Sequence, residues 1–228
     1  MNLPFTIDQF MEIFATYNRA IWPVQIIAYL LGVTALFLAV RRTGYSGRMI
    51  SAILSCLWIW NGAAYHLTYF SRINKGAFAF GALFIVQGIL FFLAGVIKSN
   101  LSFRIRRDTS SMAGLLIIAY AMVIYPLIGH LLGHRFPSSP VFGVAPCPTT
   151  IFTFGLLLWS ERRPSVSLLL IPLIWAIVGS SAVVFLGVLE DIGLITSGLL
   201  SASIIFLRGR KVNGREAKKM SLVPAGSR

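Results

Sequence analysis

The feature that most constrains this chain is the spacing of its apolar runs. They come in lengths of about twenty residues, which is the helix length that crosses a hydrocarbon core of about 30 Å. Short polar or basic stretches separate them. Of 228 residues, 57% are hydrophobic and only 12% charged, about half the charged share of a soluble domain. A soluble globular core is therefore the wrong expectation. The expected fold class is an all-α integral membrane protein whose first partner is the lipid bilayer.

Taken in order, the runs predict seven transmembrane helices at residues 22–40, 49–70, 77–97, 111–132, 149–160, 165–188 and 192–207, with Pro172 kinking the sixth. Residues 1–20 precede them as a short amphipathic helix. Thr6 and Gln9 fit a capping box, and Ile7, Phe10, Met11 and Phe14 fall at i, i+3, i+4 and i+7. Such a helix rests at the membrane interface or folds over the mouth of the bundle. The opening MNLPFTIDQF has no basic n-region before an apolar core, so no cleavable signal peptide is expected. Residues 21–207 form the seven-helix domain and 208–220 a basic cytoplasmic tail. Residues 221–228, SLVPAGSR, resemble a protease-site remnant left by expression.

The net charge of +13 invites a nucleic-acid reading, but the basic residues lie in short loops and in the tail, where they set topology. Counted over alternate loops, sixteen Lys and Arg fall on one side, among them Arg41, Arg42, Arg48, Lys98, Arg104, Arg106, Arg107, Arg162 and Arg163. The other side receives four: Arg19, Arg72, Lys75 and Arg135. This places the N-terminus outside and the C-terminus in the cytoplasm, in agreement with an odd number of crossings. No nucleic-acid partner is expected.

Helix contacts are marked by small residues that let membrane helices approach closely. Gly81, Gly88 and Gly95 recur every seven residues, Gly129 and Gly133 form a GxxxG, and Gly193, Ser197 and Ser201 recur every four. No internal repeat of 20–50 residues and no inverted repeat is visible, and homo-oligomerisation stays open. Cys56 and Cys147 fall toward opposite sides, so no intrachain disulfide is expected.

Unusual chemistry is densest in residues 130–150, HLLGHRFPSSPVFGVAPCPTT. With the orientation above, His66, His130, His134, Cys147, Glu190 and Asp191 all fall on the outer side. On a continuing helix His130 and His134 share one face. With His66 or Asp191 they would chelate zinc or another divalent metal. If Gly133 and Pro137 end the helix, His134 sits among headgroups and His130 hydrogen-bonds inside the bundle. The second helix presents Trp58, Asn61, Gly62, Tyr65, His66 and Tyr69 on one face, and the third adds Gln87 at mid-depth. These line a polar cavity, or they make interhelical hydrogen bonds worth about 1 kcal/mol each.

The fifth helix is short, about 18 Å for twelve residues. The preceding VFGVAP is bounded by Pro140, Pro146 and Pro148, so residues 136–148 are expected to re-enter the bundle, with a helix starting near Pro148. Irregular backbone at that depth is tolerated only inside protein or beside a water-filled cavity. The helix N-terminus would point into the cavity, with Thr149 or Thr150 as caps and Cys147 as a reactive or a packed structural thiol. Glu190 and Asp191 bind a cation, pair with Arg72, Lys75 or Arg135, or cap the seventh helix. An outward-facing polar pocket formed by Asn61, Tyr65, His66, Gln87, Tyr125, His130, Cys147, Thr149, Thr150, Glu190 and Asp191 is the expectation. There is no phosphate loop, nucleophile elbow or HExxH, and no catalytic residue stands out.

The run GHLLGHRFPSSPVFGVAPCPTTIFTFGLLL resembles the signature region of a bacterial multi-pass membrane family known only as a domain of unknown function. WNGAAYH, FSRINKGAFAFGALFIVQG and LGVLEDIGL extend the likeness over nearly all of residues 5–207. The resemblance implies a bacterial inner-membrane protein and supplies no activity. A second likeness, to the seven-helix zinc hydrolases that include alkaline ceramidases and adiponectin-type receptors, rests on HxxxH spacing alone. In that group the motif falls late in the chain, and here it falls on the fourth helix. Three functions follow as expectations: binding or transport of a small solute or metal ion, a zinc-dependent intramembrane hydrolase, and a non-catalytic membrane scaffold.

Overall fold

A computed structural model describes residues 4–221, beyond Arg208 by backbone alone. The first helix, α1 (Ile7–Ala20), starts at the expected capping box: Gln9 N donates to Thr6 Oγ1 at 3.3 Å and Thr6 N to Gln9 Oε1 at 2.9 Å. Its apolar face is turned onto protein. Phe14 stacks on Tyr65 with centroids 5.0 Å apart, and Phe10 meets Phe70 edge-on at 5.9 Å. Of the two placements that the periodicity allows, α1 takes the one across the mouth of the bundle.

The helices that follow are α2 (Val24–Arg41), α3 (Ser46–Trp60) with a π-helical continuation Asn61–Tyr69, and α4 (Ala77–Phe91) with a π-helical end Phe92–Ile97. Then come α5 (Thr109–Ala119), a π turn Tyr120–Ile124, α6 (Tyr125–Leu131), α7 (Pro146–Leu158), α8 (Val166–Gly179), α9 (Ser181–Leu186) and α10 (Ile192–Ser221). The ends lie within about three residues of the predicted apolar runs. The exception is α10, which carries residues 208–220 onward as helix. Most of 221–228 lies outside the described residues.

No strand forms among the described residues; a single antiparallel bridge joins Phe103 to Ser160. Five stretches, Val24–Arg41, Ala77–Ile97, Thr109–Leu131, Val166–Leu186 and Leu189–Arg208, are long and apolar enough to cross a membrane. The chain is all-helical with the make-up of a membrane protein.

The short helix α7 is the axis. Every residue from Pro146 to Leu158 is buried except Cys147, which is half-buried. Helices α3, α5, α8 and α10 pack around it. Thirteen residues rise about 20 Å, and a helix enclosed by protein has no lipid thickness to match. Its approach to α5 runs through Gly114 and Gly155, where an added Cβ would come within 2.8 and 2.9 Å of the other glycine's carbonyl. The Gly81, Gly88, Gly95 series does pack on α3 and its continuation, against Gly62, Ser55 and Ser51. The Gly129–Gly133 pair does not act as a helix contact. Gly133 has φ +94 in open space, where the left-handed turn ends the helix, and Gly129 faces Glu190.

The two ends of α7 differ in chemistry. At its C-terminus, Arg208 donates to Leu158 O at 3.1 Å and Ser160 O at 3.0 Å, and Arg106 reaches Ser160 O at 3.3 Å. Cations there complement the negative end of the helix dipole. At the other end residues 136–148 fold into the bundle as expected. Their carbonyls are satisfied by side chains: Asn18 Nδ2 donates to Pro137 O and Ser139 O, Asn61 Nδ2 to Gly143 O, and Tyr17 Oη to Val144 O at 2.9 Å. Gly143 holds φ +80 with Ala28 against it.

Candidate functional site

Beneath α1 lies a cavity of about 140 Å³, bounded by α6, the start of α7, α8, α9 and the turn Leu189–Asp191. Its walls are aromatic. Phe10 and Phe14 hang from α1, Tyr65 and Phe70 come from the end of the second apolar run, and Phe80 and Trp175 face them. The polar end is small: Tyr125 Oη donates to Asp191 Oδ1 at 2.7 Å, and Cys147 lines the cavity near the same carboxyl.

The backbone explains why two acids point inward. Gly187, at φ +69, ends α9, and the single 3₁₀ turn Leu189–Asp191 leads into α10. That turn brings both Glu190 and Asp191 inside, at 0% and 1% exposure. Glu190 Oε1 meets His134 Nδ1 at 2.7 Å, its backbone carbonyl accepts from Tyr120 Oη at 2.7 Å, and Oε2 has no partner. Among the described residues neither acid is ion-paired with a lysine or arginine, so the expected pairing with Arg72, Lys75 or Arg135 does not form.

Of the residues expected to form the pocket, Tyr65, Tyr125, Cys147 and Asp191 line it. The others are used elsewhere. Asn61 ties Leu57 O to Gly143 O. Thr149 and Thr150 bond back to Ala145 O and Pro146 O at 2.7 and 2.9 Å, which is helix-internal bonding and not capping. Gln87 donates to Leu168 O. His66 is buried among Tyr65, Phe70, Phe80, Phe84 and Trp175, and neither ring nitrogen has a hydrogen-bond partner. The cavity is thus aromatic with one acidic end, a correction to the polar pocket read from the sequence.

The expected metal set of His66, His130, His134 and Asp191 is not assembled. The helix ends at Leu131, and the chain turns so that His134 N bonds Gly129 O at 2.8 Å. His130 is exposed, His134 engages Glu190, and His66 is sealed in its aromatic shell. Among the described residues no three His, Cys, Asp or Glu side chains gather to hold a metal ion. The α7 terminus also offers fewer donors than expected. Pro146 and Pro148 lack N–H groups, which leaves Cys147 N–H alone in the first three positions. Both cysteines are free thiols.

Sequence reasoning missed Phe10, Phe14, Phe70, Phe80 and Trp175 as cavity walls. A signal existed for the first two, the apolar stripe of α1, which fits protein and lipid equally. Trp175 lies in a helix that is apolar all round, where no periodicity singles out a face. On α1, Tyr17 accepts from Trp60 Nε1 at 2.8 Å while donating to Val144 O. Burial pushes its phenol well above the usual range, against the opposing effect of the Trp60 bond.

The chain belongs to the family described as "Family of unknown function (DUF6064)", which matches residues 7–216. No curated protein and no solved structure matches it.

Proposed function

We propose that this family member is a seven-span protein of the bacterial inner membrane, N-terminus outside, whose cavity under α1 binds a small, largely apolar organic solute from the outer side. Two further spans supplement the five long apolar helices. Residues Ser46–Tyr69 are long enough but carry Trp58, Asn61, Tyr65 and His66 turned inward, while Cys56, Ile59 and Ala63 face outward. Helix α7 is short because it is wrapped by protein. The basic residues support the orientation: Arg42, Arg104, Arg106 and Arg208 gather at the C-terminal end of α7, the sixteen-residue side of the count.

The observation that carries the solute reading is the cavity itself, a mostly apolar space with a few convergent polar groups, which is the common form of a ligand site. The zinc-hydrolase reading has no comparable support, because its histidines stand apart. The test is a thermal-shift screen of small aromatic and alkyl solutes on protein in lipid nanodiscs. Several should raise the melting temperature, and a screen in which none does would overturn the reading. Reporter fusions after Gly44, Asn74, Asn100 and Arg135 test the orientation, with the first and third expected to report cytoplasm.

A further inference from the structure

The cavity's one ionisable acid points to the charge of its ligand. Its lining includes aromatic rings from five separate stretches of chain and no lysine, arginine or histidine. The faces of such rings carry negative potential and attract cations. At the polar end Asp191 is fully buried and hydrogen-bonded to Tyr125, with Cys147, Tyr65, Tyr120 and Glu190 nearby. None of these is a cation, and one is a second buried acid. A bare carboxylate in such surroundings is costly, and two adjacent carboxyls resist ionising together. Either a proton or a bound cation relieves both costs.

Glu190 adjoins Asp191 in the chain, its Oε2 has no partner, and its Oε1 meets His134 Nδ1. The His134 side chain is 17% exposed and Glu190 is 0% exposed, so the pair connects the surface to the residue next to the cavity. We propose that the cavity binds an organic ammonium ion, and that its entry displaces one proton from Asp191. Charge balances: one monocation enters and one proton departs. This inference rests on the solute-binding reading above and adds the ligand's chemical class.

The test uses choline and its neutral carbon isostere dimethylbutanol, titrated calorimetrically into the intact protein in phosphatidylglycerol nanodiscs. Choline is expected to bind at least about tenfold more tightly than the alcohol. About one proton should be released per choline, read from the change of heat with buffer ionisation enthalpy. Choline has no group that titrates near neutrality, so a rise of its affinity with pH belongs to the protein. Asp191→Asn should bring the two probes to equal affinity and abolish proton release. If that variant fails to fold, the wild-type proton count still decides. In phosphatidylethanolamine discs, weaker choline binding assigns the ammonium group to a lipid headgroup, and unchanged binding assigns it to a free solute. Equal affinity for the two probes, or no proton release, overturns the inference and leaves the solute reading standing. Binding of neither probe also overturns it, and only failure of the wider solute screen removes both.

Discussion

Gln87 donates its side-chain amide to the carbonyl of Leu168 across 3.1 Å. Leu168 stands four residues before Pro172, so this carbonyl is the one that the missing proline N–H leaves without its helical partner. The same device recurs at Met122, four residues before Pro126, whose carbonyl accepts from Tyr29 Oη at 3.2 Å. Where backbone groups have no access to water, an unpaired carbonyl is expensive. Each of these prolines is accompanied by a donor from a neighbouring helix.

Gln87→Leu is therefore expected to destabilise the protein by about 1–2 kcal/mol, toward the low end for an orphaned buried acceptor, because Gln87 Oε1 itself has no partner and its loss gives some relief. In a Pro172→Ala background the backbone bond is restored and the same substitution should be neutral or stabilising. Unfolding in mixed micelles across the four variants of this cycle measures the difference. Equal costs in the two backgrounds would show that Gln87 does not serve the proline.

The opposite end of the axis predicts a different sensitivity. Arg208 spans Leu158 O, Ser160 O and Ser110 Oγ at 3.1, 3.0 and 3.2 Å, a planar fork fitted to three acceptors. Arg208→Ala should cost about 2 kcal/mol, the range for hydrogen bonds to a charged group. Arg208→Lys should recover less than half of it, since a single ammonium cannot reproduce the fork. Full rescue by lysine in the same unfolding assay would reduce the interaction to charge at a helix terminus.

How much of this was legible in the sequence depends on the range of the interaction involved. The Thr6–Gln9 capping box is a three-residue relationship and is legible in the sequence, as are the helix ends other than that of α10, the glycine series on α4 and its π-helical end, and the re-entry of residues 136–148. The face that each buried polar side chain turns to its neighbours is not. A helical residue points about 100° from the next, so a small difference in helix rotation decides whether Gln87 meets a cavity or the Leu168 carbonyl. His130 and His134 were separated by one local event, the left-handed turn at Gly133, which Gly133 and Pro137 signalled without deciding. The aromatic walls had no local signature, because in a chain this apolar, hydrophobicity does not distinguish lipid from cavity.

Tyr17 lies on α1, outside the spans, and its buried phenol gives the protein an alkaline limit. Below about pH 10 folded and unfolded chains both hold the phenolic proton, and stability does not depend on this group. Above that pH the unfolded chain releases the proton while the folded one, its pKa raised by burial, keeps it. Stability then falls by up to about 1.4 kcal/mol per pH unit from this group. Tyr17→Phe should lower stability at neutral pH by about 1–3 kcal/mol, through the bonds lost to Val144 O and Trp60 Nε1, and should make the decline above pH 10 less steep. Denaturation midpoints from pH 7 to 11 give both quantities. An unchanged alkaline slope would mean that Tyr17 ionises as readily in the fold as out of it.

The cavity predicts that one alanine can be enlarged where another cannot. Ala182 lines the cavity and Ala176, a turn and a half earlier, packs against the Gly198 side of α10. Leucine at Ala182 extends into empty volume, and each buried methylene contributes about 0.8 kcal/mol, so Ala182→Leu should leave stability unchanged or slightly raised. Leucine at Ala176 meets a filled contact and should cost about 1–3 kcal/mol by overpacking. The same Ala182→Leu protein should lose the melting-temperature shift given by solutes that stabilise the wild type, because the added side chain occupies their space. If Ala182→Leu destabilises as much as Ala176→Leu, the space under α1 is not available to a ligand of this size. If it is stable and still responds to the same solutes, they bind elsewhere on the protein.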